Sequence, residues 1–597
     1  MMRGRLALRK GGEMSTTRTL LIVLFGAVLA LSSDNSFHPT SAALAPKPES
    51  ELYASGSTTY YVRLDGGSAD QCTGRANAPY PGSGTAVPCA WDHPFRALPP
   101  GGTPRIAGGD TLIVGAGNYM MGYGAPGADA CEASSAWECH IPPIPSGPTP
   151  ANPTRLLGAG WDAGCPDPPQ LWGTERANYV LNLTGSSNIV AACLELTDHS
   201  GCIESHTGGL ACQRDNSPFG PWAAIGLYAE DSANVRLSDF NIHGFAHTGI
   251  QAGRLADWTV ENVRIVGNGW AGWDGDIEGD DSNSGTLTFW RWTVEWNGCG
   301  ETYPGRDITG CWGQEASGYG DGVGTGTTGG RWVIEDSVIR HNTQDGLDLL
   351  YTRLPTSSIE IRRTLAEGNA GNQIKVTGPT LVENSIIVGN CGFFEGRSGW
   401  NNGDNCRAGG DALVIDLRSG NAATVTNSTL TGEGTCLVIA ACALNQTCTG
   451  SESVRLRNTI FQGAPRFSSP GDNTCFAWYD DEPPEDVLPQ NPFSTSYAVI
   501  TGTSFGNVTP CPGSHNLCEI SPGLVNASID AFDAHLLSHS PAIDAGDNTI
   551  CPAIDYDSTA RPLDGNGDGV AVCDIGAYEW WAPAAWVYLP LIVRNHQ

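Results

Sequence analysis

Short stretches in which apolar and polar residues alternate recur through the middle of the chain. Val235–Ile242, Trp258–Ile265 and Trp332–Ile339 share the pattern, as do Ile359–Leu365, Thr380–Ile387, Ala423–Leu430 and Val454–Ile460. Alternation with period two marks a strand with one face turned inward, and the Gly or Asn after most runs ends each strand in a turn. The nearest repeats lie ~21 to 30 residues apart, the range of coiled solenoids, and longer intervals hold Gly- and Cys-rich insertions. This spacing predicts an all-β protein, a right-handed single-stranded parallel β-helix with one coil per repeat and long loops on one face. Asn or Ser before the last apolar residue of a run suits a bend between two strands of a coil. Asn tolerates left-handed backbone there, and stacked amides form ladders. A β-sandwich has no reason to repeat its turn chemistry.

The flanks depart from the repeat. Arg3, Arg5, Arg9, Lys10 and Arg18 precede the apolar run Leu20–Leu31, so residues 1–46 read as a secretory signal region. Residues 52–215 read as an N-terminal cap with the first coils, 216–465 as the main repeats, 466–580 as C-terminal coils with an extension, and 581–597 as an apolar tail too short to span a bilayer. The segment from Tyr60 to Tyr119 is similar to the opening of many secreted β-helices. The pattern at Ser540–Gly546, Arg561–Pro562 and Asp574–Glu579 resembles the C-terminal module of bacterial surface β-helix proteins that carry varied anchors. It points to the cell envelope as a partner.

Twenty cysteines, an even number, agree with export. Several are close neighbours, such as Cys131 and Cys139, Cys299 and Cys311, Cys391 and Cys406, and Cys511 and Cys518. No paired CxxC motifs suggest zinc, and sequence alone leaves the pairing open. The formal net charge of −31 argues against nucleic acid or an anionic membrane as partners. A monomer is expected. An acidic polysaccharide would need a local cationic device to bind such a surface.

Three segments align when the coils are stacked by their turns: Gly320–Gly324, Gln344–Asp348 and Asn372–Val376. If Val323, Leu347 and Ile374 point inward, then Asp321, Asp345 and Asn372 form one column and Gly324, Asp348 and Lys375 another, with coils about 4.8 Å apart. Asp321, Asp345 and Asp348, with the Gln344 amide oxygen, make a candidate calcium cage. Taken singly, aspartates in Asp-Gly pairs are turn formers. Lys375 is the only lysine after Lys47. A chain that otherwise uses arginine places its one deprotonatable amine beside the cage, where a cation and partial burial would both lower its pKa and suit it to act as a base.

At these residues the sequence resembles polysaccharide lyase family 9, the β-helical pectate lyases, over about Gly320 to Gly378. The resemblance implies that Asp321, Asp345 and Asp348 bind Ca²⁺, that Lys375 abstracts a proton, and that an acidic polysaccharide is cleaved outside the cell. Gln344 departs from the family, which has a fourth aspartate there; one negative charge fewer predicts weaker calcium binding. Arg340, Arg353, Arg362, Arg363 and Arg418 lie on nearby segments as candidates for holding further substrate carboxylates.

Two other functions compete. A hydrolase could draw on the pairs Asp274 and Asp276 or Asp280 and Asp281, but the Gly-His-Gly segment of β-helical galacturonan hydrolases is not present. A non-catalytic surface protein would use the solenoid for glycan binding or adhesion. Asp564–Gly569 begins like a calcium loop, but Ile575 stands where the closing Glu belongs, so a plain loop is the better reading.

Overall fold

The alternating runs form strands because each buries every second side chain. Ser358–Arg362 turns Ile359 and Ile361 inward, and Ser453–Arg457 turns Val454 and Leu456 inward, all four fully buried. The computed structural model describes residues 57–581 apart from 132–138, 174–176, 204–221, 278–281, 314–319, 402–405, 407–409, 419, 442–448, 450, 465–474, 481–492, 497–498, 502–513 and 519. The signal region, the apolar tail, Asp280, Asp281 and Cys511 lie outside these residues.

The fold is a parallel β-helix. One ten-stranded sheet is made of β1 (Tyr179–Asn182), β2 (Ile225–Glu230), β3 (Thr248–Gly253), β4 (Ala271–Asp274), β5 (Val323–Gly324), β6 (Leu347–Leu349), β7 (Ile374–Thr377), β8 (Leu413–Leu417), β9 (Leu437–Ala441) and β10 (Phe476–Asp480), each beside its successor. Every pairing in it is parallel. The remaining strands of each coil join a second, 23-stranded assembly. In it Arg331–Glu335 stacks on Ser358–Arg362, then Thr380–Glu383, then Ala422–Thr426, again in parallel. The interior is aliphatic along most of its length and aromatic near β4, where Trp258, Trp273, Phe289, Trp292 and Trp332 pack edge-on and stacked.

The bends within coils are left-handed, as their residue types predict: Asn262, Asn384, Asn427 and Asn458 have φ of 54°, 48°, 46° and 46°, and Asp336 and Arg363 take the same conformation. The ladder expected at these bends is found at a different turn. Asn268, Asn297, Asn342 and Asn369 stack one per coil, each Nδ2 donating to the next Oδ1 at 3.0, 2.9 and 2.8 Å. Each Oδ1 also accepts the backbone N–H of the preceding ladder residue, at 3.3, 3.1 and 3.0 Å. The ladder runs just before the glycines that precede the inward residues of β4, β5 and β6. A Cβ at Gly272, Gly322 or Gly346 would come within 2.8 Å of a ladder amide.

Three of the bend asparagines bind the C-terminal segment. Asn384 Nδ2 donates to the Ile554 carbonyl, Asn427 Nδ2 to Cys573 Sγ and Asn458 Nδ2 to the Asp547 carbonyl. Ala577 and Tyr578 cover the outward side chains Ile386 and Val388. The C-terminal module is thus packed along the side of the coils around a fully buried Arg561–Glu579 ion pair.

Seven disulfides have both partners among the described residues, including Cys131–Cys139, Cys299–Cys311 and Cys391–Cys406. Cys436, at the start of an insertion, is joined to Cys475 on the adjacent coil. Such pairing fits an oxidising, extracellular setting. Among the described residues no helix is long and apolar enough to cross a membrane.

Replacing Asn342 by Leu would leave the Asn297 backbone N–H and amide without their acceptor. Buried orphan donors cost about 1–3 kcal/mol each. Asn342→Leu is expected to lower unfolding free energy by about 3 kcal/mol, read from the midpoint of denaturant unfolding.

Candidate functional site

The register places the candidate residues as the stacking argument requires. Val323, Leu347 and Ile374 pair in sequence, all fully buried, and Gly324, Asp348 and Lys375 pair beside them. Asp348 and Lys375 therefore project outward from adjacent strands, β6 and β7.

Asp321 and Asp345 occupy the turn before the strands, and each has a structural task. Asp321 Oδ1 accepts the Asp345 N–H at 3.1 Å, and Asp345 Oδ1 accepts the Asn372 N–H at 2.7 Å. The column continues: Asn372 Oδ1 accepts the Asp411 N–H at 3.1 Å and Asp411 Oδ1 the Thr435 N–H at 3.3 Å. Asp411 is absent from the sequence-based site, although Asp321, Asp345, Asn372 and Asp411 all stand two residues before an inward apolar residue. That offset was the available signal.

Two glycines make room for these carboxylates. A Cβ on Gly371 would sit 2.4 Å from Asp345 Oδ1, and one on Gly324 would sit 3.1 Å from Asp321 Oδ2. Gln344 is buried, and its Oε1 has no hydrogen-bond partner among the described residues.

Lys375 joins the two columns. Its Nζ donates to Asp345 Oδ2 at 3.0 Å and to Asp348 Oδ2 at 2.5 Å, with the lysine side chain 18% exposed. Burial acts to lower the lysine pKa, but Asp345, Asp348 and Asp321 together outweigh it and the shift is upward. As the site stands, Lys375 is an ammonium ion. Burial and the neighbouring Asp345 and Asp348 push Asp321 well above the ordinary carboxylate range, and burial raises Asp348 despite its lysine partner. Asp321 is thereby disposed to keep its proton, and a further cation in the cluster would favour its ionised form.

The donor set fits calcium in kind: three carboxylates, an amide oxygen without a partner, and a glycine gap beside Asp321. It does not yet converge. Among the described residues, the one group of three His, Cys, Asp or Glu with ligating atoms within 4.8 Å of one another is Cys391, Cys406 and Glu433, and those two cysteines form a disulfide. A cation at the aspartates would have to take the place of the Lys375 ammonium between Asp345 and Asp348.

The five candidate arginines separate into two groups. Arg340, on Val338–Arg340, pairs with Glu295 and Glu367. Arg362 pairs with Glu360 and Glu383, and Arg363, a bend residue, with Glu335 and Asp336. These three belong to the other strand assembly, where acids already engage them, and the structure does not bring them to the lysine. Arg353 and Arg418 follow β6 and β8, on the lysine's own sheet.

Of the competing carboxylates, Asp274 accepts the Gln251 amide at 3.2 Å and the Asp276 N–H at 2.8 Å, as a turn former does. Asp564 accepts the N–H groups of Gly567, Asp568 and Gly569, which makes its loop a closed turn.

No protein-family model and no curated protein matches the chain. Solved structures it resembles include pectate lyase Pel9A, at 10% identity and a TM-score of 0.37, covering 87% of this chain and 96% of that one. XylC in complex with xylose aligns at 9% identity and a TM-score of 0.42, covering 88% and 99%. The Azotobacter vinelandii mannuronan C-5 epimerase AlgE4 A-module aligns at 10% and 0.36, covering 69% and 89%. At these identities and TM-scores the likenesses bear on neither activity nor substrate, and any functional reading rests on the residues of the site.

Burial raises the Asp411 pKa from 3.8 to about 7. A carboxyl raised on folding contributes its full stability below its unfolded pKa and loses it as pH rises toward the folded value. Asp411→Asn keeps the Oδ1 acceptor and removes the titration. The variant is expected to gain on the wild type by roughly 1.4 kcal/mol per pH unit between about pH 4 and 7, levelling above that, in unfolding measured across pH.

Proposed function

We propose that the protein is a secreted, calcium-dependent lyase that cleaves a uronate polymer by β-elimination, with Lys375 as the base. The observation that carries this reading is the register that sets Asp321, Asp345, Asp348 and the lone lysine on adjacent coils of one sheet. Asp321, Asp345 and Asp348 would hold the cation, with Gln344 Oε1 as a neutral donor. When bound, calcium would engage a sugar carboxylate and acidify the C–H beside it.

The side chains are suited to a change of partner. Asp321 and Asp345 are fixed through Oδ1 to the backbone of the next coil, so Asp345 Oδ2 can exchange Lys375 for another cation, and Asp321 Oδ2 can take one up, without loss of the turn. Lys375 must leave Asp345 and Asp348 to become a base, and leaving them removes the charges that hold its proton. Once Lys375 has given its proton to water, the neutral Nζ takes the C5 proton of the uronate, the C4–O bond breaks with its electron pair on the departing sugar oxygen, which water protonates, and the product carries a C4–C5 double bond.

The closed Lys375–Asp345–Asp348 network also supports a second reading, a non-catalytic surface protein that binds glycans. Polygalacturonate separates the two. The lyase reading expects ultraviolet-absorbing unsaturated product that needs calcium, disappears with chelator, and falls roughly 10²–10⁴-fold in Lys375→Ala. No product from pectate or a panel of other uronates would favour the glycan-binding protein.

A further inference from the structure

We infer that Arg353 and Arg418 form a second subsite on the lysine's sheet, one that takes the carboxylate of a sugar unit other than the one at Lys375. This deepens the proposed function and rests on its reading of that sheet as the face for an acidic polymer. With Leu413, Ile415 and Leu417 buried inside, the period of two places Val414, Asp416 and Arg418 on the outward side. Val414 pairs with Lys375, so Arg418 lies on the lysine's face, one coil on and four residues further along. Arg353 begins beyond the end of β6, where Thr352 bridges to Thr328 of the preceding coil.

Gly378, three residues and about 10 Å beyond Lys375 along the strand, has φ +72°. Arg418 Nη2 lies 2.1 Å from where its Cβ would be, so the close approach of the guanidinium requires glycine. Arg418 is 8% exposed. Its Nη1 donates to the Leu354 carbonyl at 3.0 Å and its Nη2 to the Ser357 carbonyl at 3.5 Å, but Nε has no partner. Arg353 packs over the Tyr351 ring at 4.3 Å, and its Nε and Nη2 are both buried without a partner.

Among the described residues neither arginine forms an ion pair, whereas Arg340, Arg362 and Arg363 each have two acids. Arg353 is close enough to oppose the charge of Arg418, and among the described residues Asp416 is the acid near enough to favour it. Two like charges with unused N–H donors, held together in a chain of net charge −31, are the arrangement that a planar carboxylate completes through paired hydrogen bonds. Tyr351 and the Leu354 and Ser357 carbonyls fix the guanidiniums before any ligand arrives.

The test is calorimetric binding of oligogalacturonate and of its methyl ester in chelator, where a calcium site contributes nothing. The acid should bind roughly 10-fold or more tightly than the ester. Arg353→Gln should abolish that preference, and Arg418→Lys, which keeps charge but loses the fork, should weaken it. Arg455→Gln, an exposed charge on Ser453–Arg457, should leave it intact. Equal binding of acid and ester, no binding of either, or a preference that survives Arg353→Gln would overturn the inference. Retained preference in a protein that forms no unsaturated product would sustain this subsite and overturn the lyase reading.

Discussion

Every coil of this solenoid must satisfy the backbone N–H groups of its turns, and the rest of the structure depends on how it does so. Strand backbones find partners in the coils before and after them, but turn backbones do not fall into that ladder. Here a side-chain oxygen of an adjacent coil supplies the acceptor. Asn268, Asn297, Asn342 and Asn369 do this on one column, and Asp321, Asp345, Asn372 and Asp411 on another. The first column has neutral amides whose donors and acceptors pass from one coil to the next. The second has carboxylates at three of its four positions, and carboxylates have no donor to pass on. Their charge is costly to bury: Asp321 and Asp411 are pushed toward their protonated forms, and Lys375 pairs with Asp345.

The opposition of burial and charge at that point has a definite winner. Burial alone would drive a proton from Lys375 and onto the aspartates. Asp321 and Asp348 are raised, as burial demands, yet the lysine is raised too, because the carboxylates around it outweigh its loss of water. Partial burial therefore does not by itself make this lysine a base. Its basicity depends on whether some other cation takes over the aspartates, which ties the two halves of the proposed chemistry to one exchange of partners.

The parallel coils and the register at the site were legible in the sequence because period-two burial and turn residues act locally. Val323, Leu347 and Ile374 could be aligned from their turns, and the rest of the two columns followed. What sequence did not reveal depends on contacts between distant segments. The bend asparagines Asn384, Asn427 and Asn458 carry the residue type of an amide ladder, but residues near 547–577 take up their amides, and nothing local announces that docking. Arg340, Arg362 and Arg363 are close in sequence to the site and belong to another strand assembly, since a coil reverses direction within a few residues. Asp411 was missed for the opposite reason: its offset from Leu413 matches the column, but a long insertion separates it from Asn372.

The division of work within single side chains explains how one column serves both fold and site. Asp345 Oδ1 holds the Asn372 N–H and amide, while Oδ2 holds Lys375. A carboxylate is the group that permits this, because its two equivalent oxygens accept from different directions. An asparagine at the same place would retain the turn but present a donor to the lysine. The column shows that contrast in neighbouring coils: Asn372 caps the backbone alone, and Asp345 caps it while also holding an outward cation. Fold stability alone asks for an acceptor at each coil and is met by Asn, so Asp at 345, against the cost of burying charge, is accounted for by the ammonium that its second oxygen holds.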